Sequence, residues 1–110
     1  MKKNIKKLIK KIWNKYTKCT AYVNAAEKSG NNVINNKKFN ESVMYLEYVR
    51  GILNCLKQTD YKVLVAQYID RTGNDNSYTK SGWYAKLRRA NYALMRYFDF
   101  DLLKNKKKYA

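Results

Sequence analysis

From Ile5 to Val23 an apolar residue returns every three or four positions: Ile5, Leu8, Ile9, Ile12, Trp13, Tyr16, Cys19 and Val23. That spacing puts them on one face of an α-helix and does not fit the two-residue alternation of a strand. Lys3, Lys6, Lys7, Lys10, Lys11 and Lys18 take the opposite face, and no acid appears before Glu27. Proline is absent from the 110 residues and glycine occurs only four times, which favours long helices over turn-rich sandwiches and barrels. The chain is therefore expected to be all-α, with a first helix over about 2–28. Such an amphipathic helix can pack in a bundle or lie on a membrane surface. Its apolar stripe outlasts the lysine run, which favours packing.

Ser29–Lys38, SGNNVINNKK, is the clearest break. Gly30 suits the position just past a helix end, the asparagines tolerate turns, and Val33 and Ile34 are expected to tuck back on the bundle. A second helix is expected over about 40–57, with Asn40 as N-cap and Glu41 in its first turn. Its apolar residues run from Val43 and Met44 to Cys55 and Leu56 and cover most of the helical wheel. It is therefore expected to be the central, buried helix, with Gly51 permitting close contact. A third helix, about 60–70, is capped by Thr59 or Asp60 and carries Tyr61, Leu64, Val65 and Tyr68 at helical spacing. Arg71–Ser77, RTGNDNS, reads as a loop. The fourth helix is expected from near Ser81 to Leu103, capped by Thr79 or Ser81, with Trp83, Leu87, Ala90, Leu94, Tyr97 and Phe98 inward. The prediction is a four-helix bundle forming a single domain over 1–103, followed by a basic tail, 104–110, expected to fray.

Charge narrows the function. A net charge of +16 predicts attraction to a polyanion: nucleic acid, an anionic membrane or an acidic protein. Part of that charge also fits a background rich in lysine and asparagine. With no histidine and no Cys-x-x-Cys pair, neither a histidine-based triad nor a zinc site is expected. The acids are scattered, and Asp99 and Asp101 point to different helix faces. No glycine-rich phosphate loop occurs. The expectation is a non-enzymatic protein that needs no cofactor or metal. Cys19 and Cys55 sit in apolar stripes and are expected as reduced core thiols. No apolar run reaches membrane-spanning length and the N-terminus lacks a signal-peptide core, so a cytoplasmic protein with no membrane partner is expected.

The best candidate surface is Tyr78–Phe98, YTKSGWYAKLRRANYALMRYF. Lys80, Lys86, Arg88, Arg89 and Arg96 occur here without an acid among them. The helix start offers free backbone N–H groups and a positive dipole end to a phosphate, and Tyr78, Lys80 and Ser81 add side-chain donors. Arg88, Arg89 and Tyr84 are placed to face a groove or a phosphate backbone. The plain alternative is the solvated face of a bundle helix.

The order of these residues adds a likeness. A helix ending in Tyr68-Ile69 leads through a polar turn to Ser81, Trp83, Tyr84, Lys86, Arg88, Arg89 and Ala90, closed by Phe98. Over residues 56–98 this resembles the C-terminal half of the ArpU/RinA group of phage late transcriptional regulators, itself similar to the helix-turn-helix of sigma-factor region four. The resemblance implies a helix-turn-helix formed by helices three and four, DNA rather than RNA as ligand, and RNA polymerase as a further partner. The short helix that those regulators place before the recognition helix is missing here or reduced to one turn, so the helix-turn-helix is degenerate and backbone binding is favoured over base reading. The short, Lys/Asn-rich helical chain is also similar to small mycoplasma proteins, a likeness that carries no chemistry. The reading from a different class is a protein-interaction module that docks on RNA polymerase, the ribosome or a second copy of itself.

Overall fold

A computed structural model of the protein describes residues 2–29 and 36–103. Among these the chain forms four α-helices and no strand: α1 (Lys2–Lys28), α2 (Lys37–Cys55), α3 (Gln58–Leu64) and α4 (Lys80–Met95). A π-helical turn, Val65–Ile69, continues α3, and a 3-10 turn, Phe100–Leu103, follows α4. The all-α bundle expected from the periodicity is what the chain forms. Gly30, Val33, Ile34 and the 104–110 tail lie outside the described residues.

Helix α1 packs along α2, and α3 along α4. The two pairs meet on α1. Trp13 Nε1 donates to Asn91 Oδ1 at 2.9 Å, and Asn91 Nδ2 donates to Tyr68 Oη at 3.1 Å and to Leu87 O at 3.1 Å. The Trp13 and Tyr68 rings stack with centroids 4.3 Å apart and planes 5° from parallel. Trp13 is 4% exposed and Asn91 3%, so the bonds of Asn91 with Trp13 and Leu87 are made away from water, and the one to Tyr68 lies at the edge of the core. Burial pushes the Tyr68 phenol above its ordinary pKa, with the Asn91 hydrogen bond acting the other way. The π turn has a part in this. Asp70 N donates to Val65 O at 2.8 Å, one residue further back than in an α-helix. Tyr68 lies within this turn.

Helix α1, not α2, is thus the hub. It also accepts Tyr45 Oη at Ile12 O (2.9 Å), accepts Arg50 Nε at Tyr16 Oη (3.1 Å), and reaches Leu102 O through Lys15 Nζ (2.6 Å). Burial drives the Tyr45 phenol strongly upward in pKa, and the Cys19 thiol and Tyr48 push the same way. Helix α2 buries Tyr45, Leu46, Val49, Ile52 and Leu53 but leaves Met44 67% exposed. Cys55 is also exposed and Cys19 only half-buried, so neither free thiol belongs to the buried core. An apolar wheel had suggested burial all round, but α2 has a close helical partner on one side only. A Cβ at Gly51 would meet nothing within 4 Å, so this glycine does not serve a close helix contact.

Helix boundaries follow local hydrogen bonds. α2 starts three residues before the expected Asn40 cap, because Asn36 Oδ1 accepts from Lys38 N (2.8 Å) and Phe39 N (3.3 Å). Its first turn consequently holds no acid. α3 starts at Gln58 with no side-chain cap, so Thr59 and Asp60 lie inside it, and Asp60 complements the positive end of the helix dipole. α4 stops at Met95, well short of Leu103. Tyr48 Oη donates to Tyr97 O (3.1 Å) and accepts from Asp99 N (2.7 Å), and this holds the chain out of the helix. Phe98 then buries edge-on against Tyr45 and Tyr48. Tyr97 turns outward and is 57% exposed, and Asn91 takes the inward place not foreseen for it.

Replacing Asn91 by Leu keeps the volume but strands the Trp13 N–H without an acceptor. Urea unfolding followed by Trp fluorescence should show a loss of about 2–3 kcal/mol. Gly51→Ala, in an exposed helix interior, should raise stability by about 1 kcal/mol in the same measurement.

Candidate nucleic-acid interface

The candidate surface is entered through a loop with no helix of its own. Arg71, Gly73 and Asn76 have φ of 59°, 64° and 74°, so three left-handed residues turn the chain sharply after the π turn. Gly73 N returns to Ala66 O at 2.9 Å, and Arg71 Nη2 donates to Thr17 Oγ1 on α1 at 3.2 Å. Asn74 brackets Tyr78, donating through Nδ2 to its carbonyl (2.7 Å) and accepting its N–H at Oδ1 (3.4 Å). Asp75 Oδ1 accepts Ser77 N at 3.0 Å, and hydrogen bonds from Ser77 hold this exposed carboxyl below the ordinary range.

The loop delivers Thr79 as the cap of α4. Its Oγ1 accepts Gly82 N at 3.0 Å. A Cβ at position 82 would sit 2.9 Å from that oxygen, so a larger residue there would make the Thr79 side chain shift. Ser81, the other candidate cap, lies inside the helix and is exposed.

Beyond the cap the candidate residues separate. Trp83, Leu87, Ala90, Leu94 and Phe98 are buried, and Lys80, Ser81, Tyr84, Arg88, Arg89 and Arg96 are exposed. Arg88 and Arg89 are adjacent in sequence, but one helical step turns them about 100° apart. Arg89 faces the seam with α3, where it lines two clefts. One, of about 340 Å³, also has Lys62, Lys86 and Tyr78 in its lining. The other, of about 350 Å³, has Lys57 and Arg96. Arg88, Lys80, Ser81 and Tyr84 line neither. Tyr78 is held at the entrance by Lys86, whose Nζ lies 4.8 Å from the ring centroid, and by Trp83 at 6.1 Å.

The structure therefore places Tyr78 and Lys86 in one cleft and Arg96 in the next, with Arg89 in both, and leaves Lys80, Ser81, Tyr84 and Arg88 on an outer ridge. It adds Lys57 and Lys62, which sequence reasoning missed. Nothing in their local sequence sets them apart, because only the pairing of α3 with α4 puts them opposite Lys86 and Arg96. Lysines of α1 line other hollows. Lys10 lines a separate 260 Å³ cleft with Arg71, and Lys11 and Lys18 border a hollow closed by Phe100 and Leu103.

Chemically the seam sets five cations beside hydroxyl and ring surfaces, with the carboxylates of Asp60 and Asp75 in the same lining, and the excess of positive charge suits phosphates. Among the described residues no group of three His, Cys, Asp or Glu side chains is placed to hold a metal ion, and no helix is long and apolar enough to cross a membrane. Compared with family models, curated proteins and solved structures, the chain matches none. The likeness to ArpU/RinA regulators rests on the sequence pattern alone.

Loss of the Thr79 hydroxyl should cost about 1 kcal/mol of stability, measured as Thr79→Ala in urea unfolding. Ser81→Ala should leave the midpoint unchanged, because Ser81 caps nothing.

Proposed function

We propose that this is a non-enzymatic nucleic-acid-binding protein, directed to DNA and associated with transcription. The observation that carries the reading is the grouping of Lys57, Lys62, Lys86, Arg89 and Arg96 along one seam of a chain with net charge +16. Cations fixed along a helix pair neutralise successive phosphates and release their counterions, which gives affinity without sequence information. The ridge of Lys80, Tyr84 and Arg88 extends the contact on the outer side of α4. The preference for DNA and the link to transcription come from the helix-turn-helix likeness of residues 56–98, which also makes RNA polymerase a partner of this reading.

The test is a salt titration of duplex-DNA binding. The log–log slope should be roughly −0.9 for each phosphate neutralised, so five seam cations predict a slope near −4.5. Arg89→Ala should flatten it by about 0.9, and Arg88→Ala should do the same if the ridge also touches phosphate. Absence of binding even at low salt would end the proposal.

A second reading, a protein-interaction module, draws on the exposure of Tyr84, Tyr92 and Tyr97 on and just beyond α4. Aromatic residues of this kind are the usual anchors of protein interfaces. A defined partner such as RNA polymerase or the ribosome retained from nuclease-treated lysate favours it over nucleic acid, as does self-association of the purified chain.

A further inference from the structure

The two clefts of the α3–α4 seam lie side by side along the groove between the helices, with Asp60 and Arg89 in both linings. Asp60 is 8% exposed. Among the described residues no donor lies within hydrogen-bond or ion-pair distance of its carboxylate. Yet no fully inaccessible side-chain polar atom lacks a partner there. The carboxylate oxygens are therefore the part of Asp60 that reaches the groove. The helix start and the surrounding cations offset its charge, and oxygens that bond no group among the described residues are left to accept N–H groups from a ligand.

The groove's other features describe that ligand. Cations stand on both walls, Lys57 and Lys62 on the α3 side and Lys86, Arg89 and Arg96 on the α4 side. Tyr78, Tyr92 and Tyr97 lie exposed along its edges. Reading bases in duplex DNA takes a convex element that enters a groove about 12 Å wide, whereas contacts to its phosphates do not. Here the cations line a concavity, and each half has the volume of a small-ligand pocket, at the lower end of about 300–1,000 Å³. A positively charged groove edged with aromatic rings is the arrangement that holds single strands, with phosphates on the cations and bases on the rings.

We propose that the α3–α4 groove binds an unpaired strand and that Asp60 reads a base amino group within it. The proposal rests on the nucleic-acid reading above and specifies the form of the ligand. Cytosine presents an N4 amino donor to the carboxylate, whereas thymine presents an O4 acceptor at the same place and is repelled. Asp60 is thus a specificity residue in a groove whose affinity comes from the surrounding cations.

The experiment is fluorescence anisotropy at low salt with the full chain, using short oligo(dC), oligo(dT) and a duplex. Oligo(dC) should bind roughly tenfold more tightly than oligo(dT). Asp60→Asn, whose amide offers both a donor and an acceptor, should make the two affinities equal. If Asp60 acts only through its charge, the same change tightens both alike and preserves their ratio, which overturns the proposal. A probe that leaves the protein untouched is oligo(dC) carrying N4-dimethylcytosine, which has no amino hydrogens. It should bind as weakly as oligo(dT), and undiminished binding overturns the proposal. Equal affinity of the unaltered protein for oligo(dC) and oligo(dT) does so too. Binding of duplex but not of single strands overturns this inference and leaves the DNA-binding reading standing. Binding of neither overturns both.

Discussion

The indole N–H of Trp13 is the group on which the rest of the structure depends. It sits in the core, where an unpaired donor costs about 1–3 kcal/mol, and its acceptor is a side chain 78 residues away on α4. Asn91 spends its oxygen on Trp13 and its amide protons on Tyr68 and Leu87. An apolar contact would tolerate sliding between the helix pairs. This polar set does not, because a shift of one residue on either helix strands several buried groups at once. The Trp13–Tyr68 stack then holds the π turn of the third helical segment against the first helix.

That lock sets the candidate surface by fixing where α4 lies and how it is rotated. With Asn91 inward beside Leu87, Ala90 and Leu94, Arg89 must face the α3 seam and Arg88 the outer ridge. Both ends of α4 are set separately. The Thr79–Gly82 cap fixes the first turn, and Tyr48 fixes the exit by holding Tyr97 and Asp99. A chain with a net charge of +16 repels itself when compact. The fold accommodates this by sending its cations outward to several faces and by placing Asp60 between the cations of the seam.

Much of the architecture could be read from the residues. The long apolar period of α1, the loop at Arg71–Ser77 and the split of α4 into a buried stripe and a basic face all depend on local spacing, and the structure has them. The misreadings share a cause. Asn40, Thr59 and Ser81 are good capping residues, but Asn36 and Thr79 are the side chains whose backbone geometry lets them cap, and α3 begins uncapped. Cys55 and Met44 are apolar and lie on a helix, but among the described residues both stay exposed. Composition says what a residue prefers, and it does not say whether another element is close enough to satisfy that preference.

The sequence by itself determined that this protein is helical, where its main apolar faces lie, and that its charge favours a polyanion. Those properties follow from helical periodicity and ionisable side chains, which act at short range or by simple summation. Only the tertiary structure decided that α1 is the hub, that Tyr68 and Asn91 complete the core through hydrogen bonds, and that Lys57 and Lys62 join Lys86, Arg89 and Arg96 around a buried Asp60. Each of these depends on which helix faces which and at what rotation. That choice is made by packing and by the pairing of buried polar groups far apart in the chain, and neither leaves a mark in the local pattern.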